Sequence, residues 1–222
     1  MPKPIVLVHG AFTGAWEWDR VIPLLNARGI QATAVDLSTL SEGGSLATDE
    51  SIVRAAIEES VEEVVLVGHS YSGAVITGAS AGNPLVSHLV YVAAAVPDEG
   101  ESVVAARGGE PTGAESGALE PVDRAATSAR LFNDATPEQQ AWAEPKLAAF
   151  VRAAMDQVPS GLGWTEHTTT YIACSQDLAF SMQLQDRFAA RLDERIVLDA
   201  GHSPMITKAE ELAEMLGRIA AR

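Results

Sequence analysis

A serine set among small residues, an aspartate beyond a later apolar run and a histidine beyond the next can together move one proton during attack on a carbonyl. The serine lies in Val64-Val65-Leu66-Val67-Gly68-His69-Ser70-Tyr71-Ser72-Gly73-Ala74, which reads as a buried strand, a tight turn and the start of a helix. Such a turn holds Ser70 in a strained conformation, so Gly68 and Ser72, two residues to either side, must be small to avoid each other and the neighbouring strand. Ser72 replaces the second glycine of G-x-S-x-G, a minor departure because serine is small and Gly73 follows. The run also imitates G-x-G-x-x-G at Gly68, Ser70 and Gly73, but the middle glycine that admits a pyrophosphate is a serine, and the dinucleotide reading fails there.

A serine hydroxyl is a weak nucleophile until a base takes its proton, and the base needs a carboxylate to fix its tautomer and stabilise its cation. Thr170-Tyr171-Ile172-Ala173-Cys174-Ser175-Gln176-Asp177 places Asp177 just past a strand end, and Asp199-Ala200-Gly201-His202-Ser203-Pro204 places His202 on the loop after the next strand. The interval between them fits one helix and one strand, so both side chains return to the same sheet edge. Asp98 is the main rival acid, after the fourth strand; Asp199 lies too close to its strand to face His202 easily. Two backbone N–H groups must also face the developing oxyanion. Ala11, in the small-residue loop His9-Gly10-Ala11-Phe12-Thr13-Gly14, and Tyr71, after the serine, are the expected donors, with His9 bracing the loop.

Elements that deliver these groups follow from the hydrophobic pattern. Apolar runs at 4–8, 31–35, 64–67, 88–93, 169–174 and 195–198 mostly lack period-two alternation, as strands buried on both faces should. Stretches at 16–28, 50–60, 70–81, 181–191 and 208–221 carry apolar residues at helical spacing. The alternation predicts an α/β fold, a mainly parallel sheet of about six strands with helices on both faces. Thr207 is the expected N-cap of the last helix, with Glu210 three residues on. Residues of about 97–167 interrupt the pattern and are expected to form a lid. Its part at 107–118 is rich in Gly, Pro and Glu, and 136–155 reads as a helix with Pro137 in its first turn.

With 222 residues, 47% hydrophobic and 20% charged, the chain has the apolar surface for one domain, 1–222. A net charge of −15 repels phosphate backbones and anionic membranes, so neither is an expected partner, and it weakly disfavours anionic substrates. The single cysteine, Cys174, permits no intrachain disulfide and reads as a core residue; no apolar stretch approaches a membrane span, and a cytoplasmic setting is expected. His88 and His167 read as structural or solvated, and the histidines show no metal-ligand spacing. Phe12, Phe132, Trp142, Trp164 and Met205 are the candidates to line a substrate pocket, with Tyr71 beside them.

His9-Gly10-Ala11 with Trp16, Gly68-His69-Ser70, the run to Asp177, and Gly201-His202-Ser203-Pro204 together resemble the α/β-hydrolase superfamily. The similarity is greatest to the small branch of plant methylesterases, the salicylate-binding esterase and hydroxynitrile lyases. That resemblance implies no cofactor, a small-molecule ester as partner and, since the branch often dimerises, a homodimer as one expected state. Hydroxynitrile lyases of the branch carry a threonine in the oxyanion loop and a lysine after the catalytic histidine; here Ala11 and Ser203 stand there, favouring hydrolysis. The expected activity is cleavage of small, largely apolar esters through an acyl-enzyme on Ser70. The alternatives are lyase, carbon–carbon hydrolase or perhydrolase chemistry on the same residues, and a non-catalytic small-molecule binder.

Overall fold

The computed structural model describes residues 1–222. Six strands, β1 (Ile5–Val8), β2 (Ala32–Val35), β3 (Val64–His69), β4 (Val86–Val92), β5 (Thr168–Cys174) and β6 (Glu194–Leu198), form one sheet in the order β2-β1-β3-β4-β5-β6. Every pairing is parallel. Alternate residues feed opposite faces: Val6, Val8, Val64 and Leu66 enter one core, and Ile5, Leu7, Val65 and Val67 the other. Burial of both faces is why the inner strands show continuous apolar runs. β2 and β6 lie at the edges, and exposed side chains alternate with covered ones along β6.

The chain leaves β1 toward one side to make β2 and returns to the other side to make β3, so the sheet reverses its winding between β1 and β3. At such a reversal the connections beyond the strand carboxyl ends diverge and leave a crevice. α3 (Ser72–Ser80) follows β3 directly and is buried at every position. α2 (Leu46–Glu58) starts earlier than its apolar pattern indicates, because the Ser45 hydroxyl accepts from the Thr48 N–H at 3.2 Å and caps it. The first expected helix is two short pieces, a 3-10 turn at Ala15–Trp18 and α1 (Ile22–Asn26).

Between β4 and β5 the chain forms α4 (Val103–Ala106), α5 (Arg124–Leu131) and α6 (Pro137–Ala143) among irregular segments. Thr136 and Gln139 close a capping box on α6. The helix expected over 136–155 ends there, because Pro145 has no N–H for an i−4 bond and its ring crowds the preceding turn. Leu147, Phe150 and Val151 are nonetheless buried from extended backbone. α5 has no strong apolar stripe to announce it; the Asp123 carboxylate caps it by accepting from the Ala126 N–H at 3.1 Å. The two ends of the insertion are joined where the Trp164 indole N–H donates to the Pro97 carbonyl at 3.0 Å.

α7 (Met182–Ala189) separates β5 from β6, and α8 (Pro204–Thr207) and α9 (Ala209–Ala220) end the chain. The expected cap at Thr207 is not made. Pro204 starts a separate helical turn that Thr207 ends, and its hydroxyl donates to Asp134 at 2.9 Å instead. No helix is long and apolar enough to cross a membrane.

The turn after β3 is held by contact as much as by hydrogen bonds. A Cβ on Gly73 would lie 1.9 Å from the Ala95 carbonyl oxygen, a backbone atom that cannot swing away. Gly73→Ala is therefore expected to lose about 3 kcal/mol in urea unfolding, at the upper end for an overpacked core. A loss under about 1 kcal/mol would show that the β4 exit yields more readily than its packing implies.

Candidate active site

Ser70 sits in the left-handed region at φ 55°, the strained conformation expected of a nucleophile on a strand-to-helix turn. Its carbonyl accepts from Ala95 N–H at 3.0 Å and Gly73 N–H at 3.2 Å, tying the turn to the exit of β4. A Cβ on Gly68 would approach the Ser72 carbonyl oxygen at 2.8 Å, and one on Gly10 would approach the His69 ring at 2.9 Å and the Ser70 Cβ at 3.1 Å. Both glycines are thus required by close approach. Ser72, at the place of a second glycine, donates its hydroxyl to the His9 carbonyl and so bolts the serine turn to the loop after β1.

The carboxyl ends of β3, β5 and β6 bring Ser70, Asp177 and His202 together. His202 Nδ1–H donates to Asp177 Oδ2 at 2.7 Å, and Ser70 Oγ lies 2.9 Å from His202 Nε2, placed to donate its proton there. Asp177 is buried, and its other oxygen accepts the N–H groups of Ala179 at 2.6 Å and Phe180 at 2.8 Å. Burial holds the His202 imidazole below its ordinary value, an effect that Asp177 offsets only in part. The His202 ring is therefore neutral, with Nε2 free to accept, at neutral pH. The rival acids are elsewhere: Asp98 reaches Arg191 at 3.9 Å, and Asp199 accepts from Ser175 and Gln176. Gln185, buried on α7, accepts from the Cys174 N–H at 2.8 Å and donates to the Cys174 and Phe180 carbonyls, fixing the turn that carries Asp177.

Ala11 lines the cleft with Ser70, Tyr71 follows Ser70 in the chain, and the N–H groups of both donate to no acceptor within the chain. The Tyr71 hydroxyl donates to buried Asp49 at 3.0 Å, anchoring that residue from its far end. His9 accepts the Leu37 N–H at 3.1 Å and holds the loop after β1. Phe12 in that loop adopts φ 67°.

Glu17 and His69 form a second buried pair that the motif pattern does not reveal. Glu17 Oε1 accepts from Gly10 N–H at 3.2 Å and from His69 Nδ1 at 3.1 Å, while His69 Nε2 donates to the His202 carbonyl at 2.9 Å. Both ring nitrogens of His69 face acceptors, which suits the imidazolium because only it has two N–H donors. Burial alone would push the Glu17 carboxyl up and the His69 ring down, but their mutual attraction reverses both, leaving Glu17 lowered and His69 raised. One ion pair thus joins the oxyanion-side loop, the serine turn and the His202 loop.

A cleft of about 340 Å³ opens over Ser70 and His202, with Ala11, Phe12, Met155 and Phe180 in its wall. Of the aromatic and methionine candidates only Phe12 lines it. Phe132 and Met205 point into the core on one sheet face, where α8 and the turn after α5 pack. Trp142 stacks edge-on against Trp16, with ring centroids 5.5 Å apart and the Lys146 ammonium over its face. Trp164 closes the insertion ends as described. A larger hollow of about 440 Å³ lies near the amino ends of β1 and β2, among Pro4, Gln31 and Glu59, away from every candidate group. No three His, Cys, Asp or Glu side chains cluster to hold a metal ion.

A parallel sheet whose winding reverses beside a strand-to-helix serine turn, with an acid and a histidine on later strand ends, is the α/β-hydrolase fold. The chain belongs to the alpha/beta hydrolase family, whose model matches residues 5–215. It is 29% identical over 255 residues to norfluorocurarine synthase 1 of Strychnos nux-vomica, covering 98% of this chain and 95% of that one. A shorter stretch of 108 residues, 44% of this chain and 40% of the relative, is 38% identical to methylesterase 8 of Arabidopsis thaliana. The crystal structure of a methylesterase from Arabidopsis superposes with a TM-score of 0.82 over 99% of both chains at 21% identity, a likeness of fold.

The Glu17–His69 pair has a defined pH window. Glu17, lowered from 4.5, contributes stability that is present above that value and is lost as pH falls through its folded pKa. His69, raised from 6.5, contributes stability that is full below that value and is lost as pH rises through its folded pKa. Both terms are complete between 4.5 and 6.5. Glu17→Gln is expected to cost about 3–5 kcal/mol in that interval, the usual penalty for stranding one partner of a buried pair. The gap from the parent protein should narrow on either side; a gap independent of pH would mean the pair is not ionised.

Proposed function

We propose that the protein is a carboxylic ester hydrolase working through an acyl-enzyme on Ser70. The reading is carried by one observation, the continuous path from Ser70 Oγ through the His202 ring to buried Asp177. As Ser70 Oγ bonds to the ester carbonyl carbon, its proton passes to His202 Nε2, and the N–H groups of Ala11 and Tyr71 receive the oxyanion. The carbon–oxygen bond to the alcohol then breaks and His202 returns the proton to the departing oxygen. Water, deprotonated by His202, attacks the acyl carbon; Ser70 leaves, takes back its proton and the acid is released. Asp177 stays ionised and holds the imidazole in the tautomer that keeps Nε2 free. In this reading the insertion between β4 and β5 forms the outer wall of the cleft.

Relatives named as a methylesterase and a hydrolase-family match support ester hydrolysis. The serine that stands where cyanohydrin-cleaving relatives carry lysine is buried, with a hydroxyl that meets no partner, so no cation is placed there to hold a departing cyanide.

Ser70→Ala is expected to lower kcat for an activated aryl ester by about 1,000-fold or more with the fold unchanged by circular dichroism. Asp177→Asn should fall by about 10,000-fold through the wrong His202 tautomer. Full activity in Ser70→Ala, or no covalent label from a fluorophosphonate, would end the acyl-enzyme reading. Because His202 is lowered from 6.5, the acid limb of the kcat/KM profile should turn below that pH. A limb centred above 6.5 would assign the base to another group.

A further inference from the structure

The cleft over Ser70 is positive in a chain of net charge −15. Arg107, Arg130 and Arg152 line it against a single carboxylate, Asp123. Arg152 stands near Glu120 at 3.7 Å, and Asp123 spends its oxygen capping α5 at Ala126. Arg107 and Arg130 have no carboxylate within 4 Å and donate to no carbonyl. Most other long cations meet an oxygen, as where Arg222 pairs with Glu194 and Arg191 with Glu101; Arg20 and Lys146 do not, and lie over the Trp142 ring away from the cleft.

Arg107 is half-buried, and its guanidinium lies 4.8 Å from the Phe180 ring centroid. Phe180 in turn packs against the His202 imidazole at 5.4 Å between ring centroids, so one aromatic ring separates the Arg107 cation from His202. Burial and then the like charge of Arg130 both weaken the Arg107 cation; Asp177 opposes this, but its oxygens already serve His202, Ala179 and Phe180. A half-buried guanidinium such as Arg107 without an oxygen partner is costly unless an anion completes it, and exposed Arg130 adds a second positive charge at the same cleft. The remaining wall, with Phe12, Val122, Leu131 and Met155, is apolar.

We propose that the substrate is an ester bearing a carboxylate away from the scissile bond, with an apolar spacer between: a half-ester of a dicarboxylic acid. Its free carboxylate is received by Arg107 and Arg130 while its ester carbonyl lies over Ser70. This rests on the esterase reading and narrows it. It also reverses what net charge alone implies, since charges beyond roughly 10 Å are screened at ordinary ionic strength and the local pair decides.

The test compares monomethyl esters of straight-chain dicarboxylic acids of four to ten carbons with the dimethyl esters of the same acids. The wild-type enzyme should favour the half-ester in kcat/KM by about tenfold or more at a best chain length, with the preference shrinking as salt is raised. Arg107→Met should lower that ratio about tenfold, Arg107→Glu should invert it, and Arg107→Lys should retain part of it. Calorimetric binding of the half-esters and diesters to Ser70→Ala reads the same pair without turnover. Equal or better use of the diester at every length, or a ratio untouched by Arg107→Met, overturns the proposal while leaving the esterase intact. Preferential binding of half-esters to Ser70→Ala without cleavage of either ester by the parent protein removes the esterase reading and keeps the anion site.

Discussion

The His202 imidazole is the part on which the rest of the site depends, and it is gripped from two sides by buried acids. Asp177 accepts the Nδ1–H hydrogen bond directly. Glu17 acts at one remove, through His69, on the carbonyl of the same residue. The side chain is thereby oriented and the backbone beneath it positioned, so the ring can neither flip nor drift from the serine without breaking a buried charge-assisted bond. Such bonds are short and directional, and their loss in a water-free interior leaves a charge without a partner. Placement of one proton acceptor is thus coupled to the integrity of three loops.

Those loops converge because the sheet is wound as it is. β1 lies beside β3, so the loop carrying Ala11 rises next to the serine turn, and Glu17 can reach both Gly10 and His69. β5 and β6 lie farther along the same edge and return Asp177 and His202 over it. Near-contact of Gly10 with the Ser70 side chain, and of Gly73 with Ala95, sets the spacing of these loops to within a few tenths of an ångström. The strain held at Ser70 is of the order of 1–3 kcal/mol and persists because the β4 exit and the Ser72–His9 contact over-determine the turn.

Much of this was legible in the amino-acid order because strand ends are marked by sharp changes of composition. Val67 to Gly68, Cys174 to Ser175 and Leu198 to Asp199 each end an apolar run, and each candidate group follows within a few residues. Glu17 was not legible: a glutamate between two tryptophans carries no period or motif that says its carboxylate turns inward. Gln185 was hidden likewise, on a helix whose apolar face does not reveal that one amide bonds a loop. The pocket aromatics failed for a related reason. Residue type reports that Phe132, Trp142 and Trp164 seek burial, but core, insertion hinge and cleft satisfy that need equally. The helix beyond Pro137 stopped at a second proline whose effect outweighed the apolar spacing after it.

Charge behaves in the same way as apolarity, in that the sum says little about the place. Thirty acidic residues against fifteen basic ones set the far field and repel polyanions at a distance. At the cleft the balance inverts, because Glu17 is spent on His69, Asp177 on His202 and Asp123 on a helix cap, while Arg107 and Arg130 have no carboxylate partner. The sign of the far field and the sign at the cleft are therefore set by different residues. The outer field opposes the approach of large anionic surfaces, whereas a small anion within a few ångströms of Arg107 would meet the opposite sign.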